Sequence, residues 1–544
     1  MHLEAPGSTD TVYLFPAYSL QYGTGKVNLF TSYNGDFRYF DVEEVSTRTL
    51  LAEPEASIRR TIQHVRQKNW SHKFYYGMDY FASDKHALSL YGWMNPFSSE
   101  NDGEVSSRSP EAGASHMNRR EEDSNLATFH SLHYTFAPDR STGHELSAEA
   151  GLHTLHANNR LAFSNAETGV VEAHATEPSQ QTYRFKADYV LPLTDRSKLN
   201  TGMQVRYQSI EDAAIPDFSY TSALLAAYGT LDHRFSPYDV QAGVRVERYR
   251  YGMNADAENA LFALFPNAAL RHTLPDASTL KLAYRRSVTY PQLYQLNPRR
   301  FFEEPYAFRT GNPDISPSFT HDVRLEYSTM FGSSFVSATL FYNRTNDAIH
   351  SLTSVTEGRL FETNSYNLGR VHQYGMQFSG NLGIKDRVGI QPHLRLFEVH
   401  TSPYAFASER GVAAQRSGAW ETGLSAHVGF GRGFSVSGIF NYASPQHRIQ
   451  QVAFSGALYF VSVGKTIGRG GKMEIVSGLP RSNTFTYRGN EIDAPDFDSR
   501  SEGILQLSSM PLIFRLVYRF SRGTERDRID HDEVSTPQAP GKGF

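Results

Sequence analysis

The chain has no cysteine in its 544 residues, which removes disulfide frameworks, thiol catalysis and thiolate metal sites and is compatible with passage through an oxidising compartment. It has no run of about 18 apolar residues, so a membrane-spanning helix is excluded. Neither sign of charge is in excess: 53 Lys and Arg are mixed with 57 Asp and Glu for a net −4. That leaves no electrostatic footprint for nucleic acid. Hydrophobic residues make up 39% of the chain and the mean hydropathy is −0.47, thin for one large soluble core. Trp is scarce, at 3, but 31 Tyr and 36 Phe bring the aromatic share to 13%. That suits a wall whose rings stand between lipid and water.

What the chain does have is alternation, clearest from Leu280 to Asn346. Val323, Leu325, Tyr327 and Phe331 alternate with Asp322, Arg324, Glu326 and Ser328, giving one apolar and one charged face with a period of two. After Phe331-Gly332-Ser333-Ser334 the pattern resumes, with Val336, Ala338, Leu340 and Tyr342 opposed to Ser337, Thr339 and Asn343. This is a hairpin with a short turn. The strand before it sets Leu280, Leu282 and Tyr284 against Lys281 and Arg285, and the long segment Pro291 to Ser318 joins the two.

Most of the chain repeats this rhythm of short turn and long loop. Val12 to Tyr22 pairs with Val27 to Phe40, and a charged loop follows up to Lys68. Trp70 to Phe81 pairs with His86 to Phe97, and Ser98 to Asp123, without periodicity, is expected to be a long mobile loop. Similar pairs continue through Leu126 to Phe136 with Glu145 to His156, and Thr182 to Leu191 with Leu199 to Gln208. Later ones include Val371 to Gly383 with Arg387 to Val399, and Val452 to Ile467 with Lys472 to Val476. Gly478 to Leu505 is expected to be a loop and Leu512 to Phe520 the last strand.

Strands with one lipid-compatible face and one wet face cannot end in an open edge inside a bilayer, because each unpaired backbone group there costs several kcal/mol. The fold class is therefore all-β: a large antiparallel transmembrane β-barrel in the bacterial outer membrane, with short periplasmic turns and long extracellular loops. The count is about 21 strands, whereas single-chain barrels carry an even number and large plugged transporters 22. One strand is expected to be missing upstream of Val12. Met1 to Gly7 holds no secretory signal, so either the sequence begins downstream of its true start or the membrane reading fails. Residues 1–11 are read as an N-terminal remnant, 12–521 as the barrel, and 522–544, charged and rich in Pro and Gly, as a disordered tail.

At Tyr284-Arg285-Arg286-Ser287 through Leu296-Asn297-Pro298, then Gly311-Asn312-Pro313-Asp314-Ile315-Ser316-Pro317, the chain resembles the TonB-dependent receptors, especially their Bacteroidetes-type barrel family. The likeness continues through Phe341 to Ile349, Asn367-Leu368-Gly369-Arg370 and Tyr374-Gly375-Met376-Gln377, and nearly the whole chain is spanned. Family members often carry an acid where this chain has Gln377. The resemblance implies the barrel portion of a receptor that binds a small-molecule, peptide or glycan ligand on its outer loops and takes it up. A TonB-type energiser enters only if a plug domain is supplied, and neither the plug nor the energiser box is in this sequence. The alternative is a plugless surface barrel acting in adhesion or assembly, or as a passive pore. Without a plug, so wide a lumen is expected to leak.

The candidate ligand site is the loop carrying Arg299, Arg300, Phe301, Phe302, Tyr306, Phe308 and Arg309, where guanidinium groups and aromatic faces suit sugars, peptides or anionic chelates. The plainer reading is that these side chains pack on one another and on lipopolysaccharide, which with outer-membrane lipid is the other expected partner. The inward charges Arg245, Glu247, Arg324 and Glu326 are expected to pair with neighbouring strands or with a plug, the alternative being that they line a substrate path. His130 with His133, and His153 with His156, sit three apart and so on opposite faces of a strand, unable to share a metal. Gly464-Lys465-Thr466 lacks the leading glycine and the helix of a phosphate loop. No nucleophile, base and orienting acid stand together, so no enzyme, cofactor or metal is expected. Phe40, Tyr80, Phe136, Tyr207, Tyr290 and Tyr442 are candidates for an aromatic girdle.

Overall fold

A computed structural model gives the fold. It describes residues 2–6, 12–51, 57–110, 113–138, 143–254, 259–356, 359–385, 387–468, 470–478, 484–506, 512–520 and 529. The expected tail, 522–544, lies outside the described residues apart from Ile529. No helix among the described residues is long and apolar enough to cross a membrane.

Twenty-two staves close into one antiparallel barrel. The first eight are β1 (His2–Pro6), β2 (Val12–Leu14 and Ala17–Gly23), β3 (Val27–Leu50), β4 (Ser57–Phe81), β5 (His86–Ser109), β6 (Gly113–Phe136), β7 (Glu145–Asn165) and β8 (Val171–Thr176 and Pro178–Thr194). Then come β9 (Ser197–Asp212), β10 (Ser219–Phe235), β11 (Tyr238–Met253), β12 (Asn259–Thr273), β13 (Thr279–Thr289), β14 (Ser318–Phe331) and β15 (Ser334–Val355). The ring is completed by β16 (Phe361–Ile384), β17 (Val388–Pro403), β18 (Gln415–Gly429), β19 (Phe434–Ala443), β20 (Leu458–Ile467), β21 (Gly471–Gly478) and β22 (Leu512–Tyr518). From β13 onward, short turns follow the even-numbered staves and longer loops the odd-numbered ones.

The stave that the sequence reading leaves out is His2–Pro6, inside the stretch taken for a remnant. Five residues are too few to show a period, but they close the ring, pairing with β22 from His2 opposite Val517 to Pro6 opposite Ile513. Glu4 seals the seam from the inner face. Its carboxylate, buried, meets the Arg515 guanidinium at 2.9 Å and accepts the Phe15 N–H at 2.5 Å.

Two expected loops are strand instead. β3 and β4 stay paired out to Leu50 opposite Ser57, and β5 and β6 out to Ser109 opposite Gly113. Here both faces are polar, so the hydrophobic alternation vanishes while the backbone ladder continues; Arg66–Asp41 (3.0 Å) and Arg119–Glu121 (2.5 Å) are ion pairs along it. The expected loop Gly478 to Leu505 likewise holds a hairpin, Thr484–Asp493 with Phe497–Gln506. Its second strand pairs with Asp41–Leu50 of β3, where β2 has already ended, and so covers an edge that would otherwise be open to other chains. Pro392 lies in mid-strand. Pairing with β16 lapses at Gln391 and Pro392 and resumes at Ile390 without a change of register, so there is no bulge.

The outer face carries an apolar belt, for example Leu29, Met78, Leu90 and Leu132 directly opposite one another on β3 to β6, all exposed. Aromatic rings flank it: Phe136 stacks on His86 at 4.8 Å and Tyr442 lies 4.9 Å from Trp420. Tyr80 and Tyr207 are exposed on this face too. Two girdle candidates face the bore instead: Phe40 shares the face of buried Phe30, and Tyr290 packs inward against Tyr249 at a centroid distance of 4.0 Å. Parity explains Phe40, and the loop that begins at Tyr290 explains the other.

Candidate functional site: a strap across the extracellular mouth

The segment between β13 and β14 does not splay outward. Its root holds one helical turn, Leu293–Leu296, and its tip is a hairpin, Phe301–Glu304 with Ala307–Thr310. Leu296 and Ile315 are buried among Ile210, Leu224, Tyr249 and Tyr251 on the inner faces of β9 to β11. Tyr251 donates its hydroxyl to the Ile315 carbonyl at 3.1 Å, and Tyr290 donates to Glu247 at 2.5 Å. Burial and that bond hold the Tyr290 hydroxyl well above the usual tyrosine range.

The tip reaches the far wall. Phe301 packs on Val105, Leu161 and Phe163 of β5 and β7, and Phe302 stacks on His174 of β8 at 5.2 Å. Arg59 of β4 lies 4.0 Å over the Tyr306 ring, and Arg48 of β3 is ion-paired with Glu304. On the other flank Ala307–Thr310 runs parallel to Phe361–Asn364 of β16, its backbone paired there. A loop rooted between β13 and β14 thus touches the inner wall at β3 to β5, β7 to β11 and β16, and so crosses the mouth. Burial holds the pKa of His174 below the ordinary histidine value.

The motif residues fix the root. Gly311 donates its N–H to the Asn297 carbonyl at 2.6 Å, and a Cβ there would stand 2.5 Å from the Asn297 nitrogen, so only glycine fits. The Asn367 side chain accepts the Ser316 N–H at 2.8 Å and donates to the carbonyls of Ser316 (2.9 Å) and Asp347 (2.7 Å). Asp347, at φ 52°, sits in an irregularity of β15 between Thr345 and Ala348, and its carboxylate accepts the Tyr404 hydroxyl at 2.8 Å. Three separate stretches quoted for the family resemblance therefore meet at one latch. Replacing Asn367 by Ala should take its amide partner from both the N–H and the carbonyl of Ser316, while the Asp347 carbonyl keeps the Ser318 hydroxyl at 2.7 Å, and cost about 1–3 kcal/mol locally. The check is hydrogen exchange: residues 293–317 should lose protection while β5 to β8 keep theirs.

All seven predicted ligand residues lie on the strap, but they divide by use. Phe308 is buried, with Phe302 5.3 Å away and the Arg300 guanidinium 4.8 Å over its ring. Arg309 pairs with Glu303 at 3.6 Å and lies 4.9 Å over Tyr294. The rings serve mainly as anchors, whereas Arg299 and Arg300 remain exposed. Sequence reasoning missed Arg48 and Arg59, which lay in an expected loop, and His174, for which the sequence carried no signal. Of the inward charges, Arg245 pairs with Glu247 (2.5 Å) and Arg324 with Asp322 (2.8 Å), each within its own strand. His130 bonds Tyr76 outside (2.6 Å) while His133 lies 3.8 Å from Glu149 inside, so the two do face apart. A separate cavity of 1120 Å³ opens at the short-turn end among Lys198, Asp232, Gln241, Arg271 and Lys281, away from the strap.

Comparison with known proteins begins at the family level: the model of the outer membrane protein beta-barrel family matches residues 139–466, more than half of the chain and inclusive of strap and latch. The chain belongs to the outer membrane protein beta-barrel family. It is thus an integral protein of the outer membrane. No curated protein matches the sequence. Among solved structures, the copper transporter OprC aligns with a TM-score of 0.56 at 12% identity, over 92% of this chain and 81% of that one. The FrpB iron transporter of Neisseria meningitidis (F3-3 variant) gives 0.51 at 8%, over 86% and 81%. A mutant ferric enterobactin receptor PfeA of Pseudomonas aeruginosa, in complex with enterobactin, gives 0.51 at 10%, over 88% and 81%. Identities this low speak for the barrel fold alone, and that fold is shared along most of every chain compared.

Proposed function

We propose that this member of the family is the barrel of an outer-membrane uptake receptor. A small nutrient, whether chelate, peptide or glycan, is held at the extracellular mouth by the strap and admitted through the bore, with a TonB-type energiser acting on a plug domain. One observation carries the reading: the strap spans the mouth and is gripped on the inner wall at both flanks, with Arg299 and Arg300 exposed on it. Exposed guanidinium groups beside aromatic faces suit anionic or sugar-bearing ligands. The solved barrels of like fold are named for copper, iron and ferric enterobactin, which makes metal chelates the first class to test.

The test is growth of a deletion strain on single sources of iron, copper, peptide and glycan. One nutrient should become limiting. The doubly substituted Arg299→Ala, Arg300→Ala protein, present in the outer membrane at the normal level, should restore its uptake about tenfold less well, the order expected from about 1.4 kcal/mol of lost binding. Growth unaffected on every source would end the uptake reading.

A further inference from the structure

On the outer face of β13 to β18, three rows of side chains stand in register. Leu282, Leu325, Leu340, Met376, Leu396 and Trp420 are directly opposite one another from strand to strand and form the apolar row. Two residues further toward the long loops, Tyr284, Tyr342 and Tyr374 lie in one row with Val323 and Glu398. Above that, Arg286, His321, Arg344, His372, His400 and Arg416 form an unbroken row across six neighbouring strands. At about 4.8 Å per strand the row spans roughly 24 Å.

The rows are tied to one another. Tyr284 Oη lies 2.9 Å from His321 Nδ1, and Tyr342 Oη 2.9 Å from His372 Nδ1, so these two tyrosines each orient an imidazole of the row above. Glu398 accepts the Tyr374 hydroxyl at 2.5 Å and is ion-paired with Arg416. Arg286 lies 4.5 Å over the Phe319 ring and donates to the Leu264 carbonyl, and Arg344 donates to the Asn346 amide oxygen at 3.1 Å. Arg370, one step higher on β16, is exposed. Among the described residues no carboxylate pairs with Arg286, Arg344 or Arg370. Three cations without counter-ions thus stand just above an apolar belt, on the side of the long loops.

We infer that this sector of the wall binds the phosphorylated saccharide headgroup of an outer-leaflet glycolipid. Phosphates meet the Arg286, Arg344 and Arg370 guanidinium groups, sugar rings rest on the tyrosine row, and acyl chains lie along the row from Leu282 to Trp420. Charge complementarity selects the occupant. Guanidinium groups recognise phosphate oxygens with paired N–H donors, and the apolar row directly beneath suits a headgroup that carries its own chains, as free phosphate does not. The inference needs only placement in the outer membrane and is independent of uptake.

The full chain, purified in detergent, is titrated with diphosphoryl lipid A, its dephosphorylated form and inorganic phosphate, with binding read by native mass spectrometry. Diphosphoryl lipid A should bind at least tenfold more tightly than the dephosphorylated form. Arg286→Gln, Arg344→Gln and Arg370→Gln together should remove that preference, while Arg160→Gln with Arg248→Gln, elsewhere on the outer face, should keep it. Heat-modifiable migration on gels establishes that each variant is folded. Equal binding of the two lipids, full retention of the preference in the triple variant, or displacement of the lipid by equimolar inorganic phosphate would each overturn the inference.

Discussion

Removal of residues 1–11 should leave the barrel unable to close. The expected result is loss of the compact, heat-modifiable form, with the protein recovered as aggregate instead of inserted barrel. The cause is local and large. Without His2–Pro6 the backbone groups of β22 that face β1 lose their partners, and inside a bilayer each unsatisfied group costs several kcal/mol. Arg515 also loses Glu4 and, among the described residues, keeps Glu474 at 3.6 Å, while the Phe15 N–H loses its acceptor. A milder variant separates the two contributions. Glu4→Ala keeps the ladder but breaks a buried pair, a change of about 3–5 kcal/mol, and should give a folded barrel of lower thermal stability. Compact migration of the shortened chain would show that the seam does not need its shortest stave.

Excision of the strap tip, residues 299–310 joined by a short glycine and serine linker, should raise single-channel conductance in planar bilayers several-fold and weaken ion selectivity. A ring of this many strands encloses a wide lumen, and the sequence alone leads to the expectation of a leak. The strap changes where that leak is limited: the hairpin is held across the mouth by Arg48, Arg59, Phe163, His174 and the parallel ladder of β16. Cutting it away removes the constriction without touching the wall. Conductance unchanged by the excision would place the narrowest point elsewhere.

The wall was legible in the sequence because a period of two survives wherever one face meets lipid, as in Leu280 to Tyr284 and Val323 to Tyr327. It was not legible in Asp41 to Leu50 or Ser98 to Ser109, where polar residues stand on both faces and the backbone ladder runs on without hydrophobic alternation. The strap residues were legible as a cluster, since Arg and Phe crowd Arg299 to Arg309. Their destination was not, because Val105, Leu161, Phe163 and His174 are distant in sequence and carry no pattern linking them to the loop. The latch lies between these extremes. Gly311 and Asn367 drew notice through the resemblance, and the structure supplies the reason: one allows backbone to touch backbone, and the other bridges two carbonyls.

The staves differ greatly in length: β3 to β6 have 24 or 25 residues, whereas β21 and β22 have 8 and 7. At about 3.3 Å per residue and a tilt near 45°, a stave of the first kind rises more than 50 Å, roughly twice the ~25 Å lipid-facing band of such barrels. The cell surface is thus met by a parapet on one flank. Over the short staves the parapet is carried on by strands of the loops: the hairpin Thr484–Gln506 pairs with β3 on one side and with Gln451–Ala453 on the other, so visiting molecules meet a raised rim there as well.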